Sequence, residues 1–313
     1  MRKRVKIVAV FVLMLLVLTS CKEAGPIRFG TAEAGGSYYL FGEMFSQYAA
    51  EDDSSIRIDV KETTGSAANL RLLSGNYIQM AVAQTDMIDQ AVEEGLTGFC
   101  AVGGLYTEYC QIVVPASSGI SSVSDLLGKR VSIGEAESGT EHNAGQILDA
   151  YGLSDDLVQT EHLSYAEAAQ AMKSGSLDAI FVTAGLQTAF LENLAKEMEI
   201  SFLPIDEKAM KILTTAYDFY TVENIPAGTY TGQTKDVAAL GTRSVLLVSE
   251  SLSEDCVYSL TKVLYEHAAD LQEAGHLKLE LLPEEAAEAV TIPFHPGAVR
   301  YYEEIGITVS SGM

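Results

Sequence analysis

The sequence predicts an α/β protein of two Rossmann-like lobes joined by a two-strand hinge, and three observations carry that expectation. Strand and helix patterns alternate almost without a break from Ile27 to Leu203, which predicts a mostly parallel sheet covered by helices. A weak internal repeat pairs "LLSGNYIQMAVAQ" around Ser74-Gly75 with "MKSGSLDAIFVTA" around Ser174-Gly175. Three Gly/Ser/Thr stretches each run from a strand straight into a helix: "GTAEAGGSYY" (30–39), "ETTGSAANL" (62–70) and "IGEAESGTEHN" (133–143). Such junctions leave backbone N–H groups and the positive end of a helix dipole facing a ligand, which suits an anion. Three of them in one chain point to a cleft closing on a small carboxylate.

The N-terminus comes first in chain order. Arg2, Lys3, Arg4 and Lys6 precede an apolar run from Val8 to Leu18, then Leu18-Thr19-Ser20-Cys21. This reads as a lipoprotein signal peptide over residues 1–20, with Cys21 acylated and a tether over 21–26. Acyl chains on Cys21 would anchor the protein to the outer side of the cytoplasmic membrane. The whole chain of 313 residues carries 20 basic and 43 acidic residues, and four of the basic ones lie in the leader. A body this acidic argues against nucleic acid or an anionic membrane surface as partner. An anionic ligand must then depend on local N–H donors rather than on the global field.

In the first lobe, Ile27 to Phe29 read as a strand, Tyr38 to Ala50 as a helix and Ile56 to Val60 as a strand. Ala67 to Leu73 read as a helix stopped by Gly75, and Ile78 to Ala83 as a buried strand. Gln111 to Val114 carry the chain into a second lobe. There, strands at 131–133, 158–163, 179–182 and 200–203 alternate with helices at 141–151, 165–173 and 186–197. Ser244 to Val248 bring the chain back, and helices at 254–274, 284–289 and "HPGAVRYYEE" complete the first lobe. The expected division is 27–114 plus 243–313 for lobe 1 and 115–242 for lobe 2. Two crossing strands make a hinge, because few residues need to absorb the rotation.

Candidate ligand-binding residues follow from the junctions. Gly35 and Gly36 allow close backbone approach, Ser37 stands at a helix start, and Tyr38 follows it. Thr63, Thr64, Gly65 and Ser66 precede a helix whose first turn carries Asn69. Ser138, Gly139 and Thr140 open a third helix. Gln84 and Thr85, and Ala184-Gly185 in the other lobe, end strands at the lip of the same crevice. Enzyme readings lack support: no nucleophile elbow, phosphate-binding loop or H-E-x-x-H occurs. The five histidines have no metal-ligand spacing, His142 reads as solvated, and no cofactor or metal is expected. Cys100 and Cys110 sit on apolar runs separated by "GGLYTEY", which leaves a disulfide open, and Cys256 falls in a helical pattern.

The chain resembles the TAXI group of extracytoplasmic solute receptors, which serve TRAP transporters. The resemblance is carried by "GTAEAGGSYYLFGEMFSQ", "TTGSAANLRLLSG", "AVAQTD", "LGKRVSIGEAESGTE", "ILDAYGL", "SYAEAAQAMKSGSLDAIFVTAG", "IPAGTYTGQTKDVAALG" and "PFHPGAVRYYEEIG", from about Ile27 to Gly306. It implies a type II periplasmic-binding-protein-like fold that closes on a solute and delivers it to a membrane permease driven by an ion gradient. Small organic acids or amino acids, glutamate-like compounds among them, are the ligands it implies. By motif position the cleft would be lined by Gly36, Ser37, Tyr38, Gly65, Ser66, Asn69, Gln84, Ser138, Gly139, Thr140 and Gly185. The first loop departs from the family pattern at Ala32-Glu33-Ala34, where Glu33 is a candidate partner for a ligand ammonium. A substrate-binding protein of an ABC importer or sensor, and a secreted hydrolase using Ser138 or Ser66, are the competing readings.

Overall fold

The computed structural model describes residues 25–154, 156–275, 282–288 and 290–311. The leader, Cys21 and the tether up to Ala24 lie outside the described residues, as does Ala289 at the expected end of a helix. The first lobe is built from β1 (Ile27–Gly30), α1 (Ser37–Asp52), β2 (Ile58–Lys61), α2 (Ser66–Ser74), β3 (Met80–Gln84) and α3 (Thr85–Glu93). β4 (Phe99–Pro115) then runs without interruption into the second lobe. That lobe contains β5 (Arg130–Ser132), α4 (Gly139–Ala150), β6 (Gln159–Glu161), α5 (Tyr165–Lys173), β7 (Ala179–Ala184), α6 (Ala189–Glu197) and β8 (Ile200–Phe202). It ends with α7 (Glu207–Ala216) and β9 (Thr221–Ile225), and β10 (Val237–Ser249) returns the chain. α8 (Glu254–Glu266), α9 (Ala268–Gly275), α10 (Pro283–Glu288) and α11 (Pro296–Glu304) follow.

The strands form one path, β2-β1-β3-β10-β4-β7-β5-β6, with β8 on β4 and β9 on β10. β1 pairs in parallel with β2 and β3, and β5 with β6 and β7, as expected for βαβ units. The two long strands β4 and β10 run antiparallel from Leu240 opposite Cys110 to Ser249 opposite Phe99. Their register shifts between Arg243 and Val245, and such irregularities bend a strand pair. One apolar cluster, including Phe29, Phe41, Phe45, Leu246 and Tyr302, fills the first lobe and takes in α8 and α11. Two others, around Ile147 and Leu203 and around Leu191 and Phe202, cover the two faces of the second lobe's sheet.

The internal repeat is visible as geometry, but its offset is 99 residues rather than the 100 that aligns the two Ser-Gly pairs. Asn76 N–H bonds the Leu73 carbonyl and Tyr77 N–H the Leu72 carbonyl; Gly175 and Ser176 do the same to Met172 and Ala171. Asn76 and Gly175 are the left-handed residues, at φ 56° and 75°, so each helix stops in the same manner. An arginine straps each copy. Arg28 reaches the Gln79 side chain and the Asn76 carbonyl, and Arg130 reaches Asp178 and the Gly175 carbonyl.

Other expectations are corrected. "GGLYTEY" is the middle of β4, so Cys100 and Cys110 lie ten residues apart on one strand, roughly 33 Å at ~3.3 Å per residue. A disulfide needs Cα atoms within about 7 Å, and both thiols are free, as is Cys256. The long helix at 254–274 breaks at His267, whose ring stacks on Tyr48 4.4 Å away and meets Asp52 at 3.0 Å. Helices 85–93 and 207–216 and strand 221–225 add to what periodicity indicated.

α11 packs on α8 through Gly297. A Cβ there would stand 2.3 Å from the Glu254 carbonyl oxygen and 2.6 Å from the Tyr258 nitrogen, both backbone atoms. Gly297→Ala should therefore destabilise the fold by about 1–3 kcal/mol, read from urea denaturation; an unchanged midpoint would contradict this packing.

Candidate ligand-binding cleft

Each of the three Gly/Ser/Thr junctions ends a strand and starts a helix at the same gap between the lobes. α1 and α2 begin after Gly36 and Gly65, neither of which supplies a side-chain cap. Their first-turn N–H groups therefore lack intrahelical partners. α4 begins after Ser138, whose hydroxyl accepts the Glu141 N–H. Gly65 has φ 120°, a conformation that favours glycine. It places its Cα where an added Cβ would lie 3.4 Å from the Ser138 Cα of the opposite lobe. Gly139 packs directly on the Gln84 amide, with 2.0 Å between the place of a Cβ and Gln84 Oε1.

Three hydroxyls at these helix starts share one device. Ser66 Oγ accepts the Gln84 N–H at 3.2 Å, and Thr140 Oγ1 accepts the Thr183 N–H at 3.2 Å. Gln84 and Thr183 stand 99 residues apart at equivalent strand ends, but the hydroxyls come from different helices of the unit, for the counterpart of Ser66 is Tyr165. Ser37 Oγ accepts the Gly185 N–H at 3.2 Å, across the gap. A hydroxyl whose oxygen is engaged by a backbone N–H keeps its proton for another acceptor. Ser37, Ser66 and Thr140 thus present donors beside three helix N-termini.

The lobes are closed on each other. Both oxygens of Glu33 accept the Tyr165 N–H at 2.7 Å. The Ala68 N–H reaches the Glu137 carbonyl at 3.2 Å, and the Arg71 guanidinium meets the Glu137 carboxylate at 2.6 Å. Glu137 holds φ 65°, an uncommon state for a side-chain-bearing residue. Nearer the hinge, Asn143 Nδ2 donates to buried Asp86 at 2.8 Å and to Tyr220 Oη at 2.7 Å. What remains between the lobes is a cavity of about 50 Å³.

Gly35, Thr63 and Thr85 do not line this cavity; of the eleven residues that motif position puts in the cleft, Gly36, Ser37, Tyr38, Gly65, Ser66, Gln84, Ser138, Gly139 and Thr140 do, and so do Glu33, Thr64 and Ala184. Two of the eleven do not. Asn69, a candidate ligand contact, is wholly buried and ties the loops together, donating to the Thr31 and Val82 carbonyls and accepting from Thr63. Gly185 stands behind Ser37 and contributes its N–H to that hydroxyl. Glu33 spends its carboxylate on the α5 N-terminus rather than leaving it free for an ammonium. His142, read as solvated, is partly buried, with Nε2 2.8 Å from Gln146 Nε2 and 4.0 Å from Asp86. The hydroxyl of neighbouring Ser138 is engaged by Glu141.

The residue that sequence reasoning missed is Glu108 on β4, which lines the cavity together with Glu135, Tyr165 and Thr183. Glu108 is 1% exposed. Gln84 Nε2 donates to its Oε2 at 2.9 Å, while its Oε1 has no partner. Burial pushes its carboxyl up to about 8, with nearby Tyr38 and Gln84 opposing that shift. The available signal was a lone acid in a largely apolar 17-residue strand, where an unpaired charge is costly. Burial also raises Glu33 and Glu135, which face one another and Glu62. Among the cavity-lining residues there is no Lys, Arg or His. The described residues contain no cluster of three or more metal-ligating side chains and no helix long and apolar enough to cross a membrane.

Residues 29–306 match the model of the NMT1-like family. Among solved structures, a protein of Bordetella bronchiseptica RB50 superposes with a TM-score of 0.58 at 14% identity, covering 90% of this chain and 98% of that one. The alkanesulfonate-binding protein SsuA from Xanthomonas axonopodis pv. citri, bound to MOPS, gives 0.50 at 18% identity over 91% and 92%. A mutant of full-length BenM gives 0.53 at 14% identity over 86% and 76%. At these identities the likeness is one of fold: a two-lobed, periplasmic-binding-protein-like α/β architecture.

Glu108 yields a pH dependence. A solvated glutamate ionises near 4.5, whereas Glu108 in the closed cleft holds its proton to about 8. The folded state thus binds an extra proton in between, so stability of the ligand-free protein falls as pH rises from about 4.5 to about 8 and then levels. Urea denaturation across that range should show this decline, and Glu108→Gln should flatten it. An equally steep decline in the variant would contradict the assignment.

Proposed function

The chain belongs to the NMT1-like family, and from that premise we propose that it is an extracytoplasmic solute receptor. It captures a small carboxylate-bearing solute by closure of lobes 27–114 plus 243–313 and 115–242, with no covalent chemistry, and hands it to a membrane permease. The observation that carries this reading is the convergence of Ser37, Ser66 and Thr140, each at a helix start and from both lobes, on one closed cavity. A carboxylate there meets oriented hydroxyls and N–H groups, and hydrogen bonds to an ionised group are the strong ones. A buried anion without a counter-ion is tolerable only when every lone pair is so engaged.

The finer features rest on the sequence. The leader and Cys21 support a lipid anchor on the outer side of the cell membrane. The motif resemblance supports a TAXI receptor serving a TRAP permease. An ATP-driven importer would use the same cleft. The genes beside this one distinguish them: a multi-span permease alone supports the first, an ATPase the second. A hydrolase using Ser138 or Ser66 needs a base facing its hydroxyl. The backbone N–H groups of Glu141 and Gln84 face them instead.

Calorimetry with acetate, propionate, succinate, alanine and glutamate would identify a binder. Ser66→Ala and Thr140→Ala should each weaken it by about 1–3 kcal/mol, the worth of a hydrogen bond to a charged group. Gly139→Ala, which drives a methyl into the Gln84 amide, should weaken all binders by obstructing closure. Unchanged affinity in all three variants would overturn the placement of the site.

A further inference from the structure

The cavity lining carries two opposite kinds of hydrogen-bonding group. Donors come from the hydroxyls of Ser37, Ser66 and Thr140. Acceptors come from Glu108 Oε1 and Gln84 Oε1, buried and without a hydrogen-bond partner, with the Tyr38 hydroxyl, likewise unpartnered, close to Glu108. Gln84 Nε2 is committed to Glu108 Oε2 at 2.9 Å, which leaves the amide oxygen, not the nitrogen, for a ligand. Unsatisfied buried acceptors of this kind call for a ligand that brings N–H donors. The ionisable carboxylates on the wall, Glu33 and Glu135, add negative potential and are not offset by any basic side chain in the lining.

Resting on the capture reading above, we propose that the solute is a small zwitterion, an amino acid with one carboxylate, whose ammonium group is received by Glu108, Gln84 and Tyr38. A primary ammonium carries three donors, one for each of these unpartnered oxygens. Paired with it, Glu108 is an ionised counter-charge rather than a protonated acid. A dicarboxylate fits poorly. Its second carboxylate would face acceptors and acids at a site holding no cation. An acidic amino acid meets the same difficulty, for its side-chain carboxylate has no basic partner in the lining. Size sets a limit: the cavity of about 50 Å³ exceeds the ~10–15 Å³ that a single water requires and suits only a small solute.

Glu108 lies on β4 opposite Thr242 of β10, so the group that reads the ammonium belongs to the strand pair crossing between the lobes. The ligand's two charges would then bridge the lobe edges and the hinge, and a solute with only one of them would engage only part of the closing surface.

The test is calorimetry on the mature protein with matched pairs: alanine against propionate, serine against 3-hydroxypropionate, and glutamate against glutarate, with succinate added. The best binder should be a monocarboxylate amino acid, roughly 10- to 100-fold tighter than its deaminated partner, the worth of a charge-assisted bond. In Glu108→Gln that ratio should fall several-fold through loss of affinity for the amino acid. A thermal melt of the variant, and its upward shift with the deaminated acid, establishes that it is folded and closes. Deaminated acids or dicarboxylates binding as tightly as amino acids to the unaltered protein would overturn the inference and leave the capture reading in place. So would a preference that survives Glu108→Gln. Binding of neither class would overturn both.

Discussion

An anion held inside a strongly acidic body must be held by something other than net charge, and the placement of hydrogen-bond donors is therefore the constraint on which the cleft depends. The chain meets it with polarity that is fixed before any ligand arrives. Ser66 and Thr140 each accept a backbone N–H from the end of the neighbouring strand, and Ser37 accepts one from the opposite lobe. Their protons are thereby directed elsewhere, and the helix starts behind them add the dipole's positive end. Such donors need no reorganisation on binding, which is the advantage of a site built on secondary structure rather than on long cationic side chains.

The repeat that duplicates the lobes duplicates part of this device. Each copy has a helix stopped by a left-handed residue, an arginine strap, and a strand end whose N–H polarises a hydroxyl, although Ser66 and Thr140 start non-equivalent helices. A ligand gripped by both copies is gripped by both lobes, so binding and closure become one event with the long strands β4 and β10 as the pivot. Glu108 stands on that pivot. Its burial without a cation raises its carboxyl and makes the empty closed state sensitive to pH.

Much of the fold was legible because hydrophobic periodicity and turn chemistry agree locally. The helix at 165–173 coincides with its expected bounds, and β3 and β7 lie where buried apolar runs put them. The miss at β4 has a physical cause. A strand buried along nearly its whole length gives a continuous apolar run, and glycines at 103 and 104 imitate a break in it. The repeat slipped by one because Ser-Gly at 74–75 and 174–175 attract alignment, whereas the left-handed stop falls on Asn76 in one copy and Gly175 in the other. The helix-start residues of the site were readable from their glycines and hydroxyls. Asn69 misled because a polar residue in a first turn resembles a ligand contact, yet its amide is consumed by the Thr31 and Val82 carbonyls. Glu108 was invisible to motif reading because its significance lies in burial, which a single strand pattern does not reveal.

The most direct measurement of the central claim is a crystal structure of the mature protein saturated with its tightest small-molecule binder. The account predicts a carboxylate with both oxygens within about 3 Å of donors at the starts of α1, α2 and α4, contributed by both lobes. A ligand seated outside that gap, or held there by apolar contacts alone with Ser37, Ser66 and Thr140 facing away, would contradict it.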